Sequence, residues 1–258
     1  MSLGQIVYSL GIRRKVTMEN LRQSFPTLPP KASRTSAARV YRHFGSVAVS
    51  LAGIRRLQPN KAREWFYAQD FQTLRHALED GRGCLVVSGH LGNWELMGAM
   101  AARSGIPVTF VVTTQSNKKI EQMVDRIRLG AGIEIVKRKD AIRGVLSALK
   151  RNRCVALLID QDAHEEGAFV PFFGRLASTP RGPAVFHLRT GAPLVFVQST
   201  RLPGERYRVE FRQVDSSGTE DADEITARMT AMLEAAIRET PEQWFWMHRR
   251  WKTLPPRS

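Results

Sequence analysis

The chain has 258 residues, 43% of them hydrophobic, and carries 39 Lys or Arg against 24 Asp or Glu, a formal net charge of +15 at pH 7. That length and apolar content support one large domain with a buried core and exclude a disordered or fibrous protein. Two isolated cysteines, Cys84 and Cys154, exclude a disulfide framework, and the longest uncharged apolar run, residues 44–54, falls well short of the ~20 residues of a spanning helix.

Reduced cysteines and the absence of a signal-peptide pattern point to a cytoplasmic location, with any membrane contact made from the side. The charge is uneven: residues 1–63 hold twelve Lys or Arg and a single acid, Glu19. This asymmetry calls for an anionic partner, which is a nucleic acid, an acidic protein or a lipid surface. It also divides the chain into a basic, helical N-terminal segment, 1–63, and an α/β domain, 64–258.

In chain order, residues 13–26 read as a helix stopped by Pro26. Residues 33–56 place Ala37, Val40, Tyr41, Phe44, Val47, Ala48, Leu51 and Ile54 on one helical stripe, with Arg34, Arg39, Arg42, Arg55 and Arg56 around it. The stripe reads as core-facing, and the basic side as solvated or touching lipid. From about residue 70 the pattern alternates. Helices are expected over 70–81, 93–105, 117–130 and 140–152, and strands over 83–89, 106–113, 132–136 and 153–160. That alternation specifies a mostly parallel sheet with helices on its faces. Residues 192–200 and 206–214 flank an LPGE turn and read as a hairpin. A helix over 221–239 and an aromatic tail, PEQWFWMHRRWKTLPP, follow.

Ligands of parallel sheets gather beyond the carboxyl ends of the strands. The runs CLVVSGH and CVALLID each open on a cysteine and reach an ionisable residue six positions on, His90 and Asp160, which places both on one edge. Within SGHLGNWE, Gly89 and Gly92 leave His90 in a turn, Asn93 is a helix cap, and Glu95 lies in the first helical turn. Five residues is ~140° around a helix, so only this turn lets Glu95 fold back to an imidazole nitrogen and fix its tautomer. HxxxxE is common by chance; its position at a strand end between glycines makes it a site candidate. No serine or cysteine occupies a nucleophile elbow, so His90 is expected to act as general base on a substrate hydroxyl.

The segment 159–184, IDQDAHEEGAFVPFFGRLASTPRGPA, puts acids at a strand end and an apolar run after them. The spacing of Asp160, Asp162, His164, Glu165 and Glu166 matches neither an EF-hand nor HExxH, so no metal is expected. Phe172, Phe173 and Gly174 read either as core or as the wall of an apolar groove. In the 117–130 helix, Arg128 leans to the buried side and requires an anion, Asp160 or a phosphate, whereas Arg126 is solvated.

SGHLGNWE, RIRLG, RKDAIRGVLSALKRN, IDQD, FVPFFGRLASTPRGPA and PEQWFWMHRRWKTLPP follow the order seen in the bacterial lipid A late acyltransferases, of the lysophospholipid acyltransferase superfamily. The chain resembles that family over residues 13–254. The resemblance implies acyl transfer from acyl carrier protein, or acyl-CoA, to a hydroxyl of an anionic glycolipid at the cytoplasmic face of the inner membrane, without a cofactor. It implies His90 as base, Glu95 as its orienting acid, and Arg126, Arg128, Asp160, Asp162 and the Phe172–Phe173–Gly174 run at the substrate. Typical members open on an apolar anchoring helix; here attachment to an anionic membrane is expected through the basic first quarter, and Trp244, Trp246 and Trp251 read either as an interfacial rim or as packing of the final helix. Many carry a Tyr-Arg-Pro run where this chain reads VVTTQSNKK, which leaves the acceptor open between a lipid A precursor, a phosphatidylinositol mannoside and a lysophospholipid. No nucleic-acid-binding motif accompanies the charge.

Overall fold

A computed structural model describes residues 2–54, 66–68, 71–216 and 219–256. Strands β1 (Phe66–Ala68), β2 (Cys84–Ser88), β3 (Val108–Val112), β4 (Glu134–Lys137), β5 (Cys154–Leu158), β8 (Leu194–Arg201) and β9 (Tyr207–Gln213) form one sheet in the order β1-β9-β8-β2-β5-β3-β4. β2, β3, β4, β5 and β8 are mutually parallel, and β9 reverses against β8 as the expected hairpin. Helices cover both faces, so the α/β expectation holds.

The central strands read as continuous apolar runs because both of their faces are covered. Alternate residues of β2 serve opposite layers: Leu85 and Val87 pack with Val145, Leu149, Met229 and Leu233, and Cys84 and Val86 pack with Leu96, Met100 and Ile127. The first group comes from α7 (Ala141–Lys150) and α9 (Ala222–Glu239), the second from α5 (Trp94–Arg103) and α6 (Lys118–Gly130). Each such fully buried aliphatic side chain is worth about 1.5–3 kcal/mol.

Helices α2 (Arg14–Ser24) and α3 (Pro30–Gly53) add Leu21, Ala37 and Val40 to the first layer. The α3 stripe is thus core apart from Ala48, which is exposed, and Arg34, Arg39 and Arg42 stay exposed; Arg55, Arg56 and the proposed boundary at 63–64 lie outside the described residues. A short helix that periodicity did not announce, α1 (Leu3–Ser9), lies against α3 through Gly4 and Gly45, where any Cβ would overlap the partner backbone. This close approach turns Leu3 and Ile6 outward, and Leu10 beyond them is also exposed. Exposed large apolar side chains thus cluster on α1 and just after it, whereas α3 exposes Val49, at 64%.

Two further elements hid behind proline and glycine. β6 (Ala168–Phe172) and β7 (Arg175–Thr179) form a separate antiparallel pair joined by Phe173 and Gly174, with φ of 51° and 73°. Positive φ at both turn residues matches the twist of a tight hairpin, and a two-stranded ribbon tolerates Pro171. Helix α8 (Gly182–Thr190) starts with a proline in its first turn and stops at Gly191, φ 66°. Proline is accepted there because that N–H has no helical partner. The 70–81 helix is confined to α4 (Gln72–Ala77). No described helix is long and apolar enough to cross a membrane.

Candidate active site

β2 and β5 are neighbours in register, Cys84 opposite Cys154 through Ser88 opposite Leu158, and the ladder continues with Ile159 N–H donating to the Ser88 carbonyl at 3.0 Å. The residues after the ladder, Gly89–His90 and Asp160, meet. Asp160 Oδ1 accepts from His90 Nδ1 at 2.8 Å, and Oδ2 accepts the His90 backbone N–H at 2.8 Å. Gly89 permits the approach, since a Cβ there would lie 3.2 Å from the Asp160 carboxyl carbon and 2.8 Å from Leu233. Gly92, φ 61°, turns the chain where a side chain would overlap the Ser199 carbonyl, and Asn93 caps α5 by accepting from Leu96 N–H at 3.1 Å.

Glu95 does not fold back to the imidazole. Its carboxylate takes Arg128 Nε at 3.0 Å, Arg128 Nη2 and the Trp94 indole N–H at 3.1 Å. The two expected pairings are exchanged: Asp160 orients His90, and Glu95 neutralises Arg128. Lateral neighbours in a sheet lie under 5 Å apart, so the carboxylate arriving from β5 occupies the space that Glu95 would have to turn back to reach. Arg128 also faces Asp125 at 3.6 Å, and Lys137 joins Asp125 and Glu121 at 2.6 and 2.7 Å, so an ion-pair chain runs from the surface to the site.

The dyad is closed from above by the C-terminal segment. Trp244 Nε1 donates to Asp160 Oδ2 at 2.8 Å, Phe245 N–H to the His90 carbonyl at 3.1 Å, and Gly92 N–H to the Gln243 carbonyl at 2.9 Å. Trp244 and Trp246 are 1% and 0% exposed, which rules them out as an interfacial rim. Their indole N–H groups find acceptors inside, as buried tryptophans require. Phe172 and Phe173 also belong to this interior: Phe172 packs on Trp244 and Trp251, and Phe173 on Phe25 and Trp246. Neither they nor Gly174 line the cavity, and Arg126 is an exposed side chain outside it. The aromatic run is core because the hairpin carries it behind the dyad.

A cavity of about 380 Å³ opens in front of His90. Its inner wall is apolar, with Val86, Met97, Phe110 and Ala156; Arg128, Arg138, Asp162 and Arg181 bring charge to it. His90 keeps 22% of its side chain open, and its Nε2 has no hydrogen-bond partner among the described residues. Burial alone would lower the His90 pKa, but the charge and hydrogen bond of Asp160 outweigh it and raise the value above the ordinary 6.5. Asp160 is itself desolvated, which would raise its pKa; the His90 charge and hydrogen bonds, with the Trp244 N–H, bring it to about 2. The outcome is a fixed tautomer with Nε2 as the basic atom.

Ser88 also lines the cavity, yet its hydroxyl donates to the Val197 carbonyl at 2.7 Å and is not placed as a nucleophile. Asp162 is occupied by Thr253, whose Oγ1 donates to it at 2.8 Å. Among the described residues no group of three or more His, Cys, Asp or Glu is arranged to hold a metal ion.

A dyad of this kind suits transfer to a hydroxyl, and sequence comparison names the chemistry. The model of the bacterial lipid A biosynthesis acyltransferases matches residues 2–253. The chain belongs to that family. It is 27% identical over 246 residues to the lipid A biosynthesis palmitoleoyltransferase of Escherichia coli (strain K12), covering 94% of this chain and 80% of the relative. Against the lipid A biosynthesis lauroyltransferase of the same organism it is 29% identical over 261 residues, 98% of this chain and 84% of the relative. A phosphatidylinositol mannoside acyltransferase of Mycolicibacterium smegmatis is 26% identical over 187 residues, 70% of this chain and 61% of that protein. The protein is thus an O-acyltransferase.

Proposed function

We propose that this acyltransferase moves a fatty acyl chain from acyl carrier protein to a hydroxyl of a lipid A precursor, with His90 as general base. The observation that carries the reading is the free Nε2 of an Asp160-oriented imidazole at the wall of a cavity with an apolar inner end. The acceptor hydroxyl gives its proton to Nε2 as its oxygen attacks the thioester carbonyl. Asp160 stabilises the imidazolium so formed. The tetrahedral intermediate collapses with cleavage of the carbon–sulfur bond, and the departing thiolate takes the proton back from His90. No acyl-enzyme is needed, in keeping with the engaged Ser88 hydroxyl. Arg128, held in place by Glu95, supplies a fixed cation for the developing oxyanion or for an acceptor phosphate.

Attachment at the cytoplasmic face of the inner membrane is part of the same reading. Leu3, Ile6 and Leu10 are 48%, 41% and 70% exposed, and Arg13, Arg14 and Lys15 follow them, also exposed. An apolar ridge with adjoining cations suits peripheral contact with anionic lipid.

The deciding experiment incubates the purified protein with acyl carrier protein thioesters and a panel of acceptors, with mass-spectrometric detection. A tetraacylated lipid A precursor is expected to gain one chain, and His90→Ala is expected to lose that product by about 10²-fold or more. Acylation of a phosphatidylinositol mannoside instead would transfer the assignment to the acceptor named in the mycobacterial relatives. Hydrolysis of the thioester with no acceptor consumed would replace transfer by hydrolysis.

The apolar end of the cavity also predicts donor choice. Gly98 of α5 faces the tip of the Phe110 ring so closely that a Cβ would overlap it. Phe110 is a wall of the cavity, and Gly98→Ala displaces its ring. The variant is expected to favour shorter acyl donors, as the displaced ring takes up room at that wall. An unchanged ranking of donors by kcat/KM would place the chain elsewhere.

A further inference from the structure

We propose that the exposed turn entering α7, formed by Arg138, Lys139, Ile142 and Arg143, is the docking ridge for an acidic carrier protein that delivers the thioester. The proposal rests on the carrier-dependent transfer proposed above and names the surface that serves it.

Residues 138–140 form a 3₁₀ turn that runs directly into α7. The spacings 138/142, 139/142 and 139/143 therefore gather the four side chains on neighbouring positions of one helical turn. Arg138, Lys139 and Arg143 are exposed, and none forms an ion pair with a described carboxylate. Nearby cations are otherwise engaged: Lys137 holds Glu121 and Asp125, and Arg151 and Arg153 share Glu134. Ile142, in the middle of the ridge, is 68% exposed. One apolar anchor beside three cations that pair with no described carboxylate, against the single acid Asp140 of the same turn, complements the surface of an acidic protein helix.

The position relative to the cavity strengthens the inference. Arg138 and Ala141 line the same cavity as His90, so the ridge borders its mouth. A carrier seated there would introduce its thioester arm directly, and Arg138 would meet the phosphodiester at the root of that arm. The ridge stands on the β4 edge of the sheet, whereas α1 packs on α3 and bears several outward apolar side chains in succession. A single isoleucine among cations suits a small, charge-steered protein contact more than insertion into lipid.

The test compares two donors with the same acyl chain, the carrier protein thioester and the free acyl-pantetheine thioester. It uses Lys139→Glu/Arg143→Glu and Ile142→Asp, exposed positions outside the cavity, with folding checked by circular dichroism and Tm. For the double variant the KM of the carrier donor is expected to rise about tenfold or more and to lose its salt dependence. Turnover of acyl-pantetheine should stay within about twofold. Ile142→Asp should weaken binding of the acyl-free carrier, measured by calorimetry, in the same direction.

Equal losses on both donors, or an unchanged carrier KM in an active double variant, would overturn the ridge alone. Loss of sedimentation with phosphatidylglycerol vesicles at unchanged carrier KM would make the ridge a lipid contact and overturn it as well. A wild-type enzyme that uses acyl-pantetheine but never the carrier donor would instead remove the carrier from the reaction, and the ridge with it.

Discussion

Asp160→Asn is expected to lower turnover by about 10²–10⁴-fold and to move the acid limb of the kcat profile to lower pH. In the proposed mechanism only a neutral imidazole accepts the acceptor's proton, so the rate is full above the His90 pKa and falls below it. In the wild type that pKa is held above 6.5: burial opposes protonation, and the charge and hydrogen bond of Asp160 prevail. Asparagine keeps the size of the side chain and removes the charge. What remains is burial, the largest influence, and the nearby Arg128 cation, which lower the pKa, against the lesser upward pull of the Glu95 charge, so the limb shifts down. The loss in rate has a separate origin, because an amide no longer stabilises the imidazolium and holds either tautomer. Trp244 would still donate to the amide oxygen, favouring an NH₂ group toward Nδ1 and hence the wrong tautomer. A folded variant with an unmoved limb would remove Asp160 as the orienting acid.

Glu95→Gln is expected to cost on the order of 3 kcal/mol of stability, with a smaller displacement of the same limb. Glu95 is 4% exposed, and its carboxylate is the main counter-charge of Arg128. Removing one member of a buried pair leaves the other charge desolvated, which is why the loss exceeds the net worth of the pair. Asp125, 3.6 Å from Arg128, holds the cost near the lower end. Glu95 also helps to raise the His90 pKa through space, as a lesser contributor than Asp160, so its neutralisation moves the limb in the same direction but less. The double variant Glu95→Leu/Arg128→Met should recover most of the stability and still fail in transfer if Arg128 is the cation at the reacting centre. Urea unfolding and pH–rate profiles on the same preparations separate the two effects. An Asp160→Asn limb that moved less than that of Glu95→Gln would return the orienting role to Glu95.

The sequence by itself determined the alternating architecture, because strand and helix periods are local properties and both survive in β2 to β5 and the helices between them. It also placed His90 and Asp160 on one edge, since two runs of equal length from Cys84 and Cys154 end together when their strands run parallel. The hairpin β6–β7 and helix α8 were illegible because Pro171, Gly174 and Pro183 carry the composition of a loop, and their meaning depends on φ values and on which N–H lacks a partner. Only the tertiary structure decided which acid serves the histidine. The placement of β5 between β2 and β3 results from long-range packing, and it sets Asp160 beside His90 while α5 carries Glu95 toward Arg128. The tail was likewise ambiguous in one dimension. Tryptophans among arginines suit a membrane rim or an interior, and the choice falls to the interior because Asp160, just past the end of β5 and more than eighty residues away, offers the acceptor that the Trp244 N–H needs once buried.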